Sequence, residues 1–289
     1  MRDDNKTFNN LLTRARPLLP GIMNIMEAHV GVLQWGAIGG CNQIILPMRI
    51  IFERRENMRI KLTMSGENNI KLPLNHNKTI QGLLYSLISE LHDGGYVYNK
   101  RVYKMFVFSR LQGEYRIKGK NIYFTPPVNL YVDSPVESTS EEIRNNFLNQ
   151  KQVRLGNNFL IPASAEVIPP KWEQENFYTL SPITVYSTLE GDGKRKTYYY
   201  SPREKEFEEL LQKNLQNKAE SLGLDHENIE LTLLSFSKQK HVVLYYEDTV
   251  INGWMGNLKL RGSPIALKIA YQAGLGSKNS QGLGMIEGF

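Results

Sequence analysis

Gly262-Ser263-Pro264-Ile265-Ala266-Leu267-Lys268, followed by Tyr271-Gln272-Ala273-Gly274-Leu275-Gly276-Ser277-Lys278-Asn279-Ser280-Gln281-Gly282-Leu283-Gly284-Met285-Ile286-Glu287, is the stretch from which the fold is read. Ser263 is a good helix N-cap and Pro264 suits the first helical position, so a helix is expected over 264–273. Four glycines around a single Lys then join that helix to a short apolar strand, expected over 282–287. Glycine tolerates positive φ and puts no Cβ in front of the backbone N–H, so such a loop can lie against a phosphodiester chain or another backbone. Two familiar glycine motifs do not fit. A Walker loop ends in Gly-Lys-Ser/Thr at a helix start, whereas Gly282 is followed by Leu283. A dinucleotide fingerprint opens a βαβ unit, which does not follow here. A ligand-free connection is the plain alternative, because glycine is the ordinary punctuation of loops.

Read outward from this end, the pattern is β (178–189), α (203–222), β (229–246), β (249–260), α (264–273), β (282–287). The preceding residues repeat it as β (59–65), α (78–92), β (102–111), β (114–125), α (139–150), β (152–161). Each series is βαββαβ, the order of ferredoxin-like folds and of RNA-recognition modules. The expected class is therefore α+β, with two tandem ferredoxin-like (RRM-like) domains over 58–170 and 171–289 and Pro169-Pro170-Lys171 as the linker. In the first helix Ile80, Leu83, Leu84, Leu87 and Leu91 recur at helical spacing, and Asp93-Gly94-Gly95 is expected to stop it. Phe207, Leu210, Leu211, Leu215 and Leu222 form the corresponding stripe in the second unit.

Residues 1–57 stand apart. Met58 is a plausible initiator where the first strand begins, and Glu53-Arg54-Arg55-Glu56-Asn57 is compatible with a purine-rich ribosome-binding site. The extension is thus expected to be translated upstream sequence, the rival reading being an accessory helix that packs on the core.

The 289 residues carry a formal charge of +6, and the first 57 hold seven Lys/Arg against five Asp/Glu, which leaves +4 on the remainder. That excess is modest. Local clusters say more: Lys100-Arg101 with Lys104, Arg116-Lys118-Lys120, Lys194-Arg195-Lys196, Lys238-Lys240 and Lys259-Arg261 recur near aromatic residues. Most such runs are solvated faces, and only some are expected to meet phosphate. The single Cys41 excludes a disulfide framework and a thiolate metal cluster, which suits a reducing cytoplasm. Residues 20–48 are apolar but interrupted by Glu27, His29, Gln34 and glycines, so no membrane span or export segment is expected.

The C-terminal glycine loop, with Gly262–Lys268 before it, resembles the C-terminal signature of the CRISPR-associated repeat-RNA endoribonucleases. The stretch from Met58 resembles that family's beginning, through Met58-Arg59-Ile60-Lys61-Leu62, Leu72-Pro73-Leu74-Asn75-His76, Ile80-Gln81-Gly82-Leu83-Leu84-Tyr85, Leu91-His92 and Tyr103-Lys104-Met105-Phe106-Val107-Phe108-Ser109. The resemblance runs in order from residue 58 onward. It implies the same tandem ferredoxin-like architecture and an enzyme that cuts CRISPR precursor RNA within its repeats.

It also implies Tyr85, His92 and Lys104 as the catalytic set. Tyr85 and His92 are seven residues apart, within about 20° of each other and roughly 10 Å along a helix axis. Bare spacing would favour a half-buried Tyr and a helix-end His, and the matched motif reverses that preference. A helix C-terminus favours imidazolium, and His92 is expected to exchange protons near neutral pH. Lys104 would neutralise charge on a phosphorane. Alternation over 102–110 places Lys104, Phe106, Phe108 and Arg110 on one face, with the two Phe residues favoured as core.

The reaction such a set suits is metal-independent scission by the 2′-hydroxyl, leaving a 2′,3′-cyclic phosphate (or a 3′-phosphate) and a 5′-hydroxyl. His76, in the loop before the helix, is the runner-up for catalysis and could equally fix that loop. Gly274, Gly276, Lys278, Asn279, Ser280, Gln281, Gly282 and Gly284 are expected to face RNA or to support the domain, and Lys259 and Arg261 to help hold the repeat. Asp133, Asp192, Asp225 and Asp248 are scattered, so no metal or other cofactor is expected. Precursor and mature repeat RNA, with interference-complex subunits, are the expected partners. A repeat-RNA-binding subunit that cuts nothing is the competing class, and the oligomeric state is left open.

Overall fold

The computed structural model describes residues 59–88, 95–191 and 194–289. The extension 1–57 and His92 lie outside the described residues.

The first sheet is built around β1 (Arg59–Ser65), paired antiparallel with β7 (Asn121–Asp133) on one side and β9 (Asn158–Ile168) on the other. β2 (Ile70–Pro73), β5 (Val107–Phe108) and β6 (Gln112–Lys118) add along β7, and β8 (Val153–Leu155) pairs with β9. Period-two alternation sends Ile60, Leu62 and Met64 to one face. There α1 (Asn77–Tyr85) contributes Ile80, Leu83 and Leu84, and α2 (Glu137–Asn149) contributes Ile143 and Phe147, to close one core.

The second sheet has the order β13 (Leu231–Tyr246), β14 (Thr249–Gly262), β10 (Asn176–Thr179), β15 (Ile286–Gly288). It is covered by α3 (Lys205–Ser221) and α4 (Pro264–Ala273). In both sheets the unit's first strand lies between its third and fourth, which is the ferredoxin-like arrangement. The fold is two tandem ferredoxin-like units.

Several expected elements are redrawn. α1 ends at Tyr85 and turn residues follow over 86–88, within the span expected as helix; Leu91 and the expected stop at Asp93-Gly94 lie outside the described residues. The expected strand 102–111 is interrupted: β4 (Arg101–Tyr103) stops, Met105 takes a left-handed φ of 49°, and the chain re-enters the sheet at β5. The second strand of the unit is instead β6, so the expected strand 114–125 straddles the hairpin turn at Gly119-Lys120. Likewise 152–161 spans the β8–β9 turn, 178–189 spans β10 and the start of β11 (Tyr186–Gly191), and the last strand is 286–288 rather than 282–287. Strand-forming composition marks these β stretches, but where each strand begins and ends is set by its pairing partners.

Two features join the units. β3 (Tyr96–Tyr98) and β4 form a hairpin that precedes β5 in sequence, yet Tyr96, Tyr103 and Met105 pack against the second core. The other is a buried polar cluster around Arg59, which is 0% exposed. Its Nε donates to Asp133 Oδ2 at 2.9 Å, Nη1 to Glu287 Oε2 at 2.5 Å and to the Ile286 carbonyl at 2.8 Å, and Nη2 to the Tyr271 carbonyl at 2.9 Å. The guanidinium carbon also stands 3.5 Å from the centroid of the Tyr271 ring. Two carboxyls face one guanidinium in this dry site. Burial lifts the Asp133 carboxyl to about 7 against the pull of Arg59.

Candidate active site

Tyr85 is the last residue of α1 and half-buried at the edge of the first core. Its ring meets Phe106 edge-on, with centroids 5.6 Å apart and planes at 85°, and Phe106 in turn stacks on Phe108 at 6.5 Å. Phe106 and Phe108 are both buried, as core residues.

Lys104 is half-buried, and its Nζ lies 5.8 Å from the centroid of the Tyr85 ring, within the range of a cation–π contact. The backbone explains why it sits there. Tyr103 and Met105 are anchored in the second core, whereas Phe106 is anchored in the first. The carbonyl of Met105 accepts from Ser134 Oγ at 2.6 Å. Lys104 is therefore held at the seam between units by neighbours fixed in opposite cores, and Arg110, expected on its face, is exposed beside Met255.

His76, the runner-up for catalysis, stands in the loop entering α1. It is 5% exposed, T-shaped against Phe124 with centroids 5.9 Å apart, and its Nδ1 hydrogen-bonds the Pro73 carbonyl at 3.0 Å. Burial pushes its pKa down, which favours neutral imidazole. It fixes the loop entering α1.

The glycine loop is tied down on three sides. Asn77 Nδ2 donates to the carbonyls of Gln281 (2.8 Å) and Gly282 (3.2 Å), and Gln81 Nε2 to that of Ser280 (2.7 Å), so α1 of the first unit grips the loop of the second. Tyr246, from β13, hydrogen-bonds Gln81 in turn. Beneath the loop, Lys218 of α3 is 2% exposed and donates to the carbonyls of Ala273 (3.4 Å), Gly274 (2.5 Å) and Gly276 (3.1 Å); burial pulls its pKa down to about 7. Asn279 Nδ2 crosses the loop to the carbonyls of Leu275 and Leu283.

Gly274, Gly276, Gly282 and Gly284 all have φ between 69° and 85° and are buried. A Cβ on Gly282 would strike the Phe108 ring, and one on Gly284 the Leu275 carbonyl. These glycines serve close packing between backbone segments. The half-exposed part of the loop is 277–281, where left-handed Lys278 (φ 62°) places Nζ 5.4 Å from the Tyr186 ring centroid and burial lowers its pKa.

Lys259 and Arg261 lie on β14 on the face opposite the buried Leu258 and Leu260; Lys259 pairs with Glu175 at 3.3 Å and Arg261 is exposed. The structure thus brings Tyr85, Lys104 and the glycine loop to the seam between the units, with His76 buried at the start of α1 beside Asn77 and the β14 cations on the second sheet. Sequence reasoning missed Arg59, Asn77, Gln81 and Lys218, whose roles depend on partners more than 50 residues away for all four. A Lys at 218 on the apolar stripe of α3, between Leu215 and Leu222, was the one local signal. Among the described residues no three His, Cys, Asp or Glu side chains gather to hold a metal ion, and no helix is long and apolar enough to cross a membrane.

The family described as "CRISPR associated protein Cas6, C-terminal" matches residues 166–288. "CRISPR-associated endoribonuclease Cas6 1" of Methanocaldococcus jannaschii is 28% identical over 246 residues, covering 80% of this chain and 93% of that protein. "CRISPR-associated endoribonuclease Cas6" of Pyrococcus furiosus is 28% identical over 224 residues, covering 75% of this chain and 83% of that protein. A solved structure titled "CRISPR associated protein Cas6" superposes with a TM-score of 0.69 at 27% identity, over 81% of this chain and 100% of its own. The C-terminal region that holds the glycine loop thus matches the Cas6 C-terminal family, and the chain from the first strand onward is similar in sequence and fold to Cas6 proteins.

Proposed function

We propose that this chain is an endoribonuclease that cuts CRISPR precursor RNA within its repeats without a metal ion. Its relatives in M. jannaschii and P. furiosus are named as CRISPR-associated endoribonucleases. The observation that carries the reading is the placement of the Lys104 ammonium against the Tyr85 ring at a seam fixed by both cores.

In this reading a base takes the proton of a 2′-hydroxyl, that oxygen attacks the adjacent phosphorus in line, and an acid protonates the departing 5′-oxygen. The products are a 2′,3′-cyclic phosphate, or a 3′-phosphate after ring opening, and a 5′-hydroxyl. His92 serves as general acid or base, Tyr85 as the second proton-transfer or positioning group, and Lys104 as the cation that meets charge growing on the phosphorane. The half-exposed Lys278, Ser280 and Gln281, with Lys259 and Arg261, contact the repeat, while the four glycines hold the units together. Mature repeat RNA is then passed to interference-complex subunits.

The test uses the host's own repeat transcript. A single 2′-deoxy nucleotide immediately upstream of the cut should stop cleavage and leave binding intact, and EDTA should change nothing. Lys104→Ala should slow the single-turnover rate by roughly 10²–10³-fold, the scale of losing one electrostatic stabiliser. Normal cutting of the deoxy substrate, or its arrest by chelation, refutes the mechanism. Tight binding with no cleavage by the wild type makes the chain a repeat-binding subunit instead.

A further inference from the structure

A groove of 680 Å³ opens along the flank of α1, with Lys78 and Gly82 on the helix and Ser86 just past its end, Arg154 from β8, and Tyr245 and Glu247 from the tip of the β13–β14 hairpin. Its size is that of a small-molecule pocket. Both units build it: Lys78 Nζ pairs with Glu247 at 2.5 Å, and the backbone N–H of Tyr245 donates to Asn75 Oδ1 at 3.2 Å.

Gly82 is the informative residue. It sits mid-helix, where glycine is the poorest former after proline. Nothing among the described residues asks for it there. It is exposed, a Cβ would meet no atom of the described residues within 4 Å, and it is not among the residues with positive φ. A missing side chain that neither packing nor backbone geometry requires leaves open floor for something outside. The groove walls suit a nucleotide. Tyr245 is 57% exposed and belongs to neither core, a ring offered for stacking. Arg154 donates from Nε to the Gly156 carbonyl at 2.8 Å, which fixes its guanidinium at the wall, where it can meet phosphate.

We propose that this groove binds one nucleotide of the RNA strand beside the scissile phosphate, its base on Tyr245, its phosphate at Arg154, and its sugar edge over Gly82. The proposal rests on the endoribonuclease reading. It gives the β13–β14 hairpin tip a part in positioning the substrate next to Tyr85.

Full-length Gly82→Leu, Tyr245→Ala and Tyr245→Phe are compared with wild type on the host repeat transcript and in thermal unfolding. Gly82→Leu should unfold at the wild-type temperature or above it, since leucine is a good helix former, while RNA affinity falls about tenfold or more because the side chain fills the floor. Misfolding cannot produce that combination. Tyr245→Ala should weaken binding by about 5- to 150-fold, the cost of one lost stacking contact, and Tyr245→Phe should restore it. An abasic scan across the cut should find one position whose loss matches Tyr245→Ala, with no further loss when the two are combined. Wild-type affinity and cleavage in both Gly82→Leu and Tyr245→Ala overturn the groove alone. A wild-type protein that neither binds nor cuts repeat RNA overturns the groove and the endoribonuclease reading together.

Discussion

Arg59→Ala should be the most destabilising single truncation at the seam between the units. The side chain makes four hydrogen bonds, to Asp133, Glu287 and the carbonyls of Ile286 and Tyr271, and covers the Tyr271 ring at 3.5 Å. Alanine leaves two carboxyls and two carbonyls facing a cavity that no other described cation enters. Breaking a buried ion pair by removing one partner costs about 3–5 kcal/mol, because the remaining charge is uncompensated. At about 2–4 °C per kcal/mol for a chain of this order, the thermal midpoint should fall by roughly 6–20 °C. Arg59→Lys should recover only part of this, since an ammonium cannot reproduce the planar fork of donors that reaches both units. Denaturant unfolding, read at constant m-value, is the assay. A loss below about 1 kcal/mol would show that the cluster relaxes or hydrates without the arginine, and the argument that it locks the seam would fail.

The buried acid and the buried lysine give stability a pH dependence of opposite signs. Asp133 is raised from an ordinary 3.8 to about 7, so the folded chain keeps a proton that the unfolded chain has released, and stability should fall as pH rises across that window. Lys218 is lowered from 10.5 to about 7, so stability should rise with pH from about 7 towards 10.5. Asp133→Asn should remove the first slope and Lys218→Met the second, and a flat profile in the wild type would contradict both assignments. Gly282→Val should loosen the loop from α1, because φ is 81° and the new side chain meets the Phe108 ring and Asn77. A destabilised protein with impaired cleavage is expected, and a variant with wild-type unfolding and activity would remove the packing role given to this glycine.

The sequence by itself determined the two βαββαβ series, because helical stripes such as Phe207, Leu211 and Leu215 and alternations such as Ile60, Leu62 and Met64 are local patterns that burial must respect. The helix cap was equally local: Ser263 Oγ accepts from the Ala266 N–H one turn on. The tertiary structure decided what lay between the patterns. Whether 102–111 is one strand depends on which core takes each side chain, and Met105 and Phe106 go to different ones. Whether a glycine loop faces solvent or a neighbour depends on Asn77, Gln81 and Lys218, residues 56 to 205 positions away. Nothing local marks Arg59 in the sequence, and only the approach of Asp133, Tyr271 and Glu287 makes it the centre of the seam. Local periodicity fixes which face of an element is apolar, whereas hydrogen-bond partners for buried polar groups are chosen by chain segments far apart in sequence.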